Sequence, residues 1–455
     1  MMIGYARVST DEQNLALQLD ALRGAGCAEV FQDTGSGAEF SRAGLDRALA
    51  ALEPGGVLAV WKLDRLGRSM LVTVKIVLDL DRRGVGFRSL TESFDTKTAL
   101  GRGVLTASVG TPVHFSVLYG LWISNFAGGA IAAALERATN FLSVAQSQPS
   151  SGPLLIGHRI LALSLMLSGD YHAALAHVET AVSLYRPDEH RDSALHYGQD
   201  IGVTAFVQLS WALWHCGHPD QSARAADRAL ALSRQLGHAH TLAHAFWFAG
   251  MAAVFARDVA AARAHCNNCV ALASEHGFAF WAAYGQILQG WADAQQGEAT
   301  TGIACIRDGL AAAEATGNHG AVPFHLTLLA EALALAGEIK ESLATLDDAL
   351  AQAAVSGVRG WDAEIHRLHG ELTARLPHPD PAKAEESFRT ALAIAREQGT
   401  RGYELRAATS LARLWGGKGR RGEAHDLLAP VYGWFTEGFD TADLKDAKAL
   451  LDELA

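Results

Sequence analysis

The first hundred residues alternate short apolar runs with stretches of helical period. Ile3–Val8 reads as a strand, and Glu29–Gln32, Val57–Trp61 and Val85–Leu90 read as three more. Between them, Leu15, Leu17, Leu19 and Leu22 lie in a helical stretch that ends near Gly24 and Gly26. Ala43–Leu52 and Met70–Leu80 are a second and a third helix. Strands separated by helices predict an α/β domain, a mostly parallel sheet flanked by helices. In such sheets chemistry collects at the carboxyl ends of the strands. Ser9 and Asp33 each follow a strand end, and Asp64 stands just past a third.

From about residue 113 the strand pattern stops and an Ala- and Leu-rich helical pattern repeats. Gly237, Gly277, Gly317 and Gly357 lie 40 residues apart. Gly217, Gly297 and Gly337 fit the same period, with Arg257-Asp258 at the missing step. Gly129 and Gly169 are also 40 apart, and a longer insertion precedes Gly217. Each unit reads as helix, tight turn, helix, loop, with glycine where a left-handed helix end is needed. Small residues such as Ala225, Ala226 and Ala229 let the helices approach closely. One such pair cannot bury its own apolar face, so several must stack. About seven units predict an all-α solenoid of tetratricopeptide type.

With 19% charged and 49% hydrophobic residues in 455, the chain is globular, not disordered. Five cysteines without an even framework give no sign of an oxidising compartment, and the N-terminus has no signal-peptide pattern. A cytoplasmic protein is expected. Val113–Leu135 carries no formal charge over 23 residues, a length that can span a bilayer. Gly128-Gly129 breaks it and His114, Ser124 and Asn125 interrupt it, so two buried helices with a turn are expected, and no membrane. The charge is uneven. Residues 1–105 hold 13 basic and 13 acidic side chains, so the whole net charge of −11 falls on the rest. An acidic region is a poor partner for phosphates, so any DNA contact must fall to the first hundred residues.

That segment also carries the candidate chemistry. In order come Arg7, Ser9 and Gln13; Asp33 in "QDTGSG"; Arg42 in "FSRAGLD"; and Asp64, Arg65 and Arg68 in "KLDRLGRS". Arginines and a serine beside strand ends suit phosphate chemistry. Guanidinium forks match phosphate oxygens and keep their charge, and a serine can carry a phosphoryl group covalently. Each feature also has a plain reading. Ser9, or Thr10 with Gln13, can cap the next helix; "DTGSG" can be a turn; the arginines can be a solvated face.

Together, "GYARVSTDEQ", "DTGSG", the Arg of "SRAGLD" and "WKLDRLGRS" make residues 2 to about 105 resemble the catalytic domain of serine recombinases of the resolvase/invertase type. The resemblance implies that Ser9 is the nucleophile and forms a 5′-phosphoseryl link to DNA, freeing a 3′-hydroxyl. It implies that Arg7, Arg65 and Arg68 surround the scissile phosphate with help from Arg42. Asp64 would orient arginines or serve in proton transfer, and Gln13 and Asp33 would organise the site. No cofactor and no metal are implied. After "LGRGVLT" (100–106) the sequence departs from the family. There the family continues as a long helix that forms a dimer interface and leads to a helix-turn-helix domain. Here the sequence turns to "ASVGTPVHFSVLYGLW".

Residues 113–455 resemble the tetratricopeptide C-terminal region of bacterial signalling ATPases linked to adenylate cyclases. "ALHYGQDIGV", "HGFAFWAAYGQILQGWA", "HLTLLAEALALAG", "ELRAATSLARLW" and "PVYGWFTEGFDTADLKDAKALLDEL" carry this likeness. No G-x-x-x-x-G-K-[ST] phosphate loop accompanies it. The expected division is 1–105 catalytic-like, 106–112 junction and 113–455 solenoid, a chain that looks like a gene fusion. Cys266 and Cys269 have C-x-x-C spacing without a second pair and are read as packing and surface cysteines rather than a metal or redox site. His238, His240 and His244 are read as polar loop residues, and Trp211, Trp214, Trp247, Trp281, Trp291 and Trp415 mostly as core. Two functions follow. One is DNA strand exchange through Ser9, with DNA as partner. The other is a non-enzymatic scaffold whose solenoid binds a protein and whose recombinase segment is inert.

Overall fold

The computed structural model describes residues 1–8, 12–34, 43–61, 76–77, 79–80, 83–90, 94–95, 112–190 and 193–455. The chain divides into two compact units, Met1–Ser124 and Asn125–Ala455.

The first unit is a five-stranded sheet in the order β2-β1-β3-β4-β5. Strands β1 (Met2–Val8), β2 (Glu29–Thr34), β3 (Val57–Val60) and β4 (Gly86–Ser89) are parallel. The edge strand β5 (Phe94–Asp95) runs antiparallel to β4 and was not expected, because two residues leave no period to read. Helix α1 (Glu12–Gly24) follows β1 and α2 (Ala43–Ala50) follows β2. On one face Ile3, Tyr5, Leu58, Val60 and Phe87 pack with Leu45 and Ala48 of α2. On the other, Ala6 and Ala59 pack with Leu22 of α1. Burial on both faces explains why these strands read as apolar runs rather than alternations. Of the expected helix 70–80, residues 76–77 and 79–80 are helical and the others lie outside the described residues.

The uncharged stretch after 112 forms α3 (Pro112–Ala127) and α4 (Ile131–Gln146) with a turn between them. Among the described residues one helix, α5 (Ser151–Ser168), is long and apolar enough to cross a membrane, and 61% of it is buried within the protein. It pairs with α6 (Tyr171–Leu184). The short helices α7 (Pro187–His190) and α8 (Ser193–Tyr197) fill the insertion. Six further pairs then follow the 40-residue period: α9 (Ile201–His215) with α10 (Pro219–Leu236), α11 (Ala239–Phe255) with α12 (Val259–His276), and α13 (Ala279–Gln295) with α14 (Ala299–Ala315). The last three are α15 (Val322–Leu335) with α16 (Ile339–Ser356), α17 (Asp362–Ala374) with α18 (Pro381–Glu397), and α19 (Arg401–Gly417) with α20 (Arg421–Tyr432). A final helix, α21 (Ala442–Leu454), covers the end.

Eight positions spaced 20 apart, from 217 to 357, all have positive φ. Seven are glycine. The eighth is Arg257 at φ 57°, the one non-glycine residue of this kind among the described residues. The missing step in the glycine period is therefore a change of residue and not of backbone.

The solenoid winds tightly enough for successive superhelical turns to touch. The Tyr171 hydroxyl donates to the Gly360 carbonyl at 3.1 Å, and the Arg359 amide donates to the Leu167 carbonyl at 2.7 Å. One seam further on, the Gln221 amide donates to Glu437 at 3.1 Å. These contacts join residues 189 and 216 apart, about five repeats per turn. Aromatic rings stack across the repeats. Trp211 stacks on Trp361 with centroids 5.7 Å apart, Trp214 on Phe255 at 5.2 Å, and His215 on Tyr171 at 4.1 Å. All six tryptophans named from the sequence are buried.

Candidate functional site

The strand ends of the first unit position the described part of the site. In the β1–β2 register Arg7 lies opposite Asp33. Strand β3 stops at Val60, opposite Tyr5, so β1 runs past it. Beyond that point Gln18 of α1 takes the place of a neighbouring strand. Its Oε1 accepts from the Arg7 amide at 3.2 Å and its Nε2 donates to the Arg7 carbonyl at 3.1 Å. Gln18 is fully buried. The Arg7 backbone is thus held as firmly as one inside the sheet.

Asp33 is buried and engages the start of α2. Oδ1 accepts from the Gly44 amide at 2.8 Å; Oδ2 accepts from the Leu45 amide at 3.1 Å and from the Tyr5 hydroxyl at 2.9 Å. A carboxylate on the unpaired amides of a first helical turn satisfies them and complements the helix dipole. Gly44 makes the approach possible: a Cβ there would stand 2.4 Å from the Gln32 carbonyl oxygen and 2.7 Å from Oδ1 of Asp33. At the other end of α2, Arg83 donates to the carbonyls of Leu49 and Leu52, both at 2.8 Å. The helix that starts one residue after Arg42 is therefore pinned at both ends. Asp33 does this through neutral donors, and no described arginine forms an ion pair with it.

Ser9, Arg42, Asp64, Arg65 and Arg68 lie outside the described residues. Gln13 lies in the first turn of α1, its side chain outside them as well. Of the eight candidates, the described structure brings Arg7 and Asp33 together. Tyr5, Gln18 and Gly44 were not singled out from the sequence. Gln18 had left a signal: it is a polar residue four positions before Leu22, on the helix face that turns inward.

The second unit concentrates charge inside. The Glu364 carboxylate takes both forks of Arg367 at 2.8 Å and also Arg406 at 3.1 Å. Arg406 reaches Asp443 at 2.8 Å as well. Burial alone would raise the Glu364 carboxyl, but the guanidiniums of Arg367 and Arg406 overcome it and hold it at about 2. Cys266 and Cys269 are packed inside, as expected. Cys269 Sγ donates toward the carbonyls of Ala243 and Trp281, and burial pushes its thiol up to about 12. The histidine reading needs correction. His238 caps α11, accepting from the Thr241 amide at 3.3 Å. His240 and His244 lie within α11, and His244 is buried edge-on to Trp281. They are not loop residues, because the helix begins at Ala239, right after its histidine cap.

A mostly parallel sheet with Arg7 and Asp33 opposite each other near its strand ends defines an α/β domain. Residues 2–109 match the family model "Resolvase, N terminal domain". This segment is similar to the resolvase N-terminal domain. It is 56% identical over 102 residues to a DNA-invertase of Enterobacteria phage P7, covering 22% of this chain and 55% of that one. It is 54% identical over 102 residues to the serine recombinase gin of Escherichia phage Mu, covering 22% and 53%. The chain spans about half the length of the curated relatives it matches. The chain is similar in fold to a solved Rap protein complexed with competence and sporulation factor (TM-score 0.45, 11% identity, 76% of this chain and 100% of that one). It is also similar to a signal transduction ATPase with a tetratricopeptide repeat sensor from Pyrococcus horikoshii (TM-score 0.41, 12% identity, 85% and 54%).

Proposed function

We propose that the first unit is a serine recombinase catalytic domain acting on DNA, joined to a solenoid that binds a protein partner. The functional division is 1–105, 106–112 and 113–455. Ser9 Oγ attacks a backbone phosphorus, the bond from phosphorus to the 3′-oxygen breaks, and the serine proton ends on that oxygen. A 5′-phosphoseryl link and a free 3′-hydroxyl result, and the bond energy is kept for rejoining. Arg7, Arg65 and Arg68 stabilise the charge that builds on the phosphate, with Arg42 assisting. Asp64 orients arginines, and Gln13 and Asp33 organise the site. The observation that carries the reading is the 56% identity over 102 residues to a DNA-invertase.

The second reading, a scaffold with an inert recombinase segment, is favoured by the acidic balance beyond residue 105. Binding of supercoiled plasmid at low salt separates the two. The recombinase reading expects binding by wild type and by Ser9→Ala, with nicking by wild type alone. Absence of binding by both supports the scaffold.

A further inference from the structure

The connection between α20 and α21, residues 433–441, reaches back to the start of α10. His218, the N-cap of α10, gives its helix no side-chain hydrogen bond. Glu437, 216 residues beyond Gln221, supplies one instead. Its Oε1 accepts from the Gln221 amide at 3.1 Å and its Oε2 from the Gln221 side-chain amide at 3.4 Å. Arg224, one turn further along α10, stands 3.9 Å from Oε2. The exchange is reciprocal, because Asp220 Oδ2 accepts from the Gly438 amide at 3.2 Å. A carboxylate on the amide of the third helical residue, answered by a carboxylate of the first turn, works as a capping box does, here between distant parts of the chain. Gly438 has φ 78°, and a Cβ there would stand 2.0 Å from Pro219, the first residue of α10.

Both ends of this segment are anchored elsewhere. Phe435 is buried in the core of the last repeats. Asp443 accepts from Arg406 at 2.8 Å, with side chains 11% and 9% exposed. Between these anchors the contacts with α10 are polar and reach solvent: Arg224 is 67% exposed. The rest of the seam is different in kind. Tyr403 packs edge-on against Trp214 at 5.4 Å and His215 at 5.0 Å, all three buried. Water replaces exposed polar contacts at little cost, whereas parting buried rings exposes apolar surface.

We propose that residues 436–441 are a latch that opens and closes on the first turn of α10 while Phe435, Asp443 and the aromatic seam stay in place. Opening bares the amides of that turn, and so changes what it offers to a partner with no repeat unfolded. The proposal does not rest on the DNA reading of Ser9.

The test is hydrogen exchange of the full chain, read at the Gln221 and Gly438 amides, which the latch protects, and at the amides of α9 and α19, which report the seam. Gln221 and Gly438 are expected to exchange at least about tenfold faster than the seam amides. Raising salt from about 0.1 M to about 1 M should widen the gap, because Arg224 and Glu437 are screened. Glu437→Ala should accelerate Gln221 at least about fivefold and leave α9 and α19 unchanged. Gly438→Ala, which removes no polar group of the latch but meets Pro219, should do the same. Exchange of Gln221 and Gly438 at the rate of the seam amides overturns the proposal. So does acceleration of α9 and α19 to the same extent in Glu437→Ala, or unchanged exchange at Gln221 in both variants.

Discussion

Two buried carboxylates show how the two units differ. Asp33 is satisfied by two amides and a phenol. Glu364 is satisfied by two guanidiniums. The first acts on the backbone and sets where a helix begins, right after an arginine of the recombinase pattern. The second bolts one repeat to another and neutralises charge within the fold. In the sheet unit, polar residues serve the geometry of strand ends. In the solenoid, they hold successive turns together around an aromatic interior.

The largest test of this contrast is Arg406→Met. It leaves Glu364 with one partner and strips the Asp443 carboxylate of its closest guanidinium, so about 3–5 kcal/mol of stability should be lost in urea unfolding of the full chain. Asp33→Asn keeps an acceptor for α2 and should lose clearly less. Equal losses would mean that Glu364 is no more a bolt than Asp33.

Gln18→Leu comes next. It removes the partner of both Arg7 backbone groups, at about 1–3 kcal/mol for each left unsatisfied. Hydrogen exchange at the Arg7 amide should accelerate while the solenoid amides stay unchanged. Unaltered protection at Arg7 would show that another group holds the strand end.

The third test is pH. Burial holds His215 and His325 at about 3, far below the usual 6.5. The unfolded chain therefore binds more protons below 6.5, and stability falls as pH falls from 6.5 toward 3. By about pH 5 each histidine removes about 2 kcal/mol. Glu364, held at about 2 against its ordinary 4.5, adds a further loss from 4.5 downward, in the same direction. Urea midpoints should decline from pH 7 to 5. A flat profile would contradict the buried neutral histidines.

The smallest effects concern the turns. Gly317→Ala has open space around it and should cost about 1 kcal/mol for backbone alone. Gly217→Ala should cost more, because its Cβ would stand 2.4 Å from the Trp434 ring at a seam between superhelical turns. Equal melting temperatures for the two variants would place the seam elsewhere.

The same contrast explains what could be read in the sequence. The solenoid was legible as a period, because each repeat asks the same thing of the same position. Even Arg257 kept its place in the turn. What the period could not show was the winding, since contacts such as Tyr171 to Gly360 join residues with no shared pattern. The sheet was legible as apolar runs, and its candidate chemistry as residues that interrupt them. Gln18 and Gly44 escaped notice because their roles depend on which backbone lies opposite, and spacing alone does not encode that. His240 and His244 were misplaced for a related reason. A histidine before a helix looks like the histidines inside it.

The central claim is that the first unit carries a nucleophile for DNA. The direct measurement is to incubate the full chain with supercoiled plasmid, quench in denaturant, digest with protease and sequence the linked peptide by mass spectrometry. The account predicts a 5′-phosphoryl linkage on Ser9 and a free 3′-hydroxyl on the DNA, both absent with Ser9→Ala. Plasmid bound without any linkage to Ser9, or nicked equally by Ser9→Ala, would contradict it.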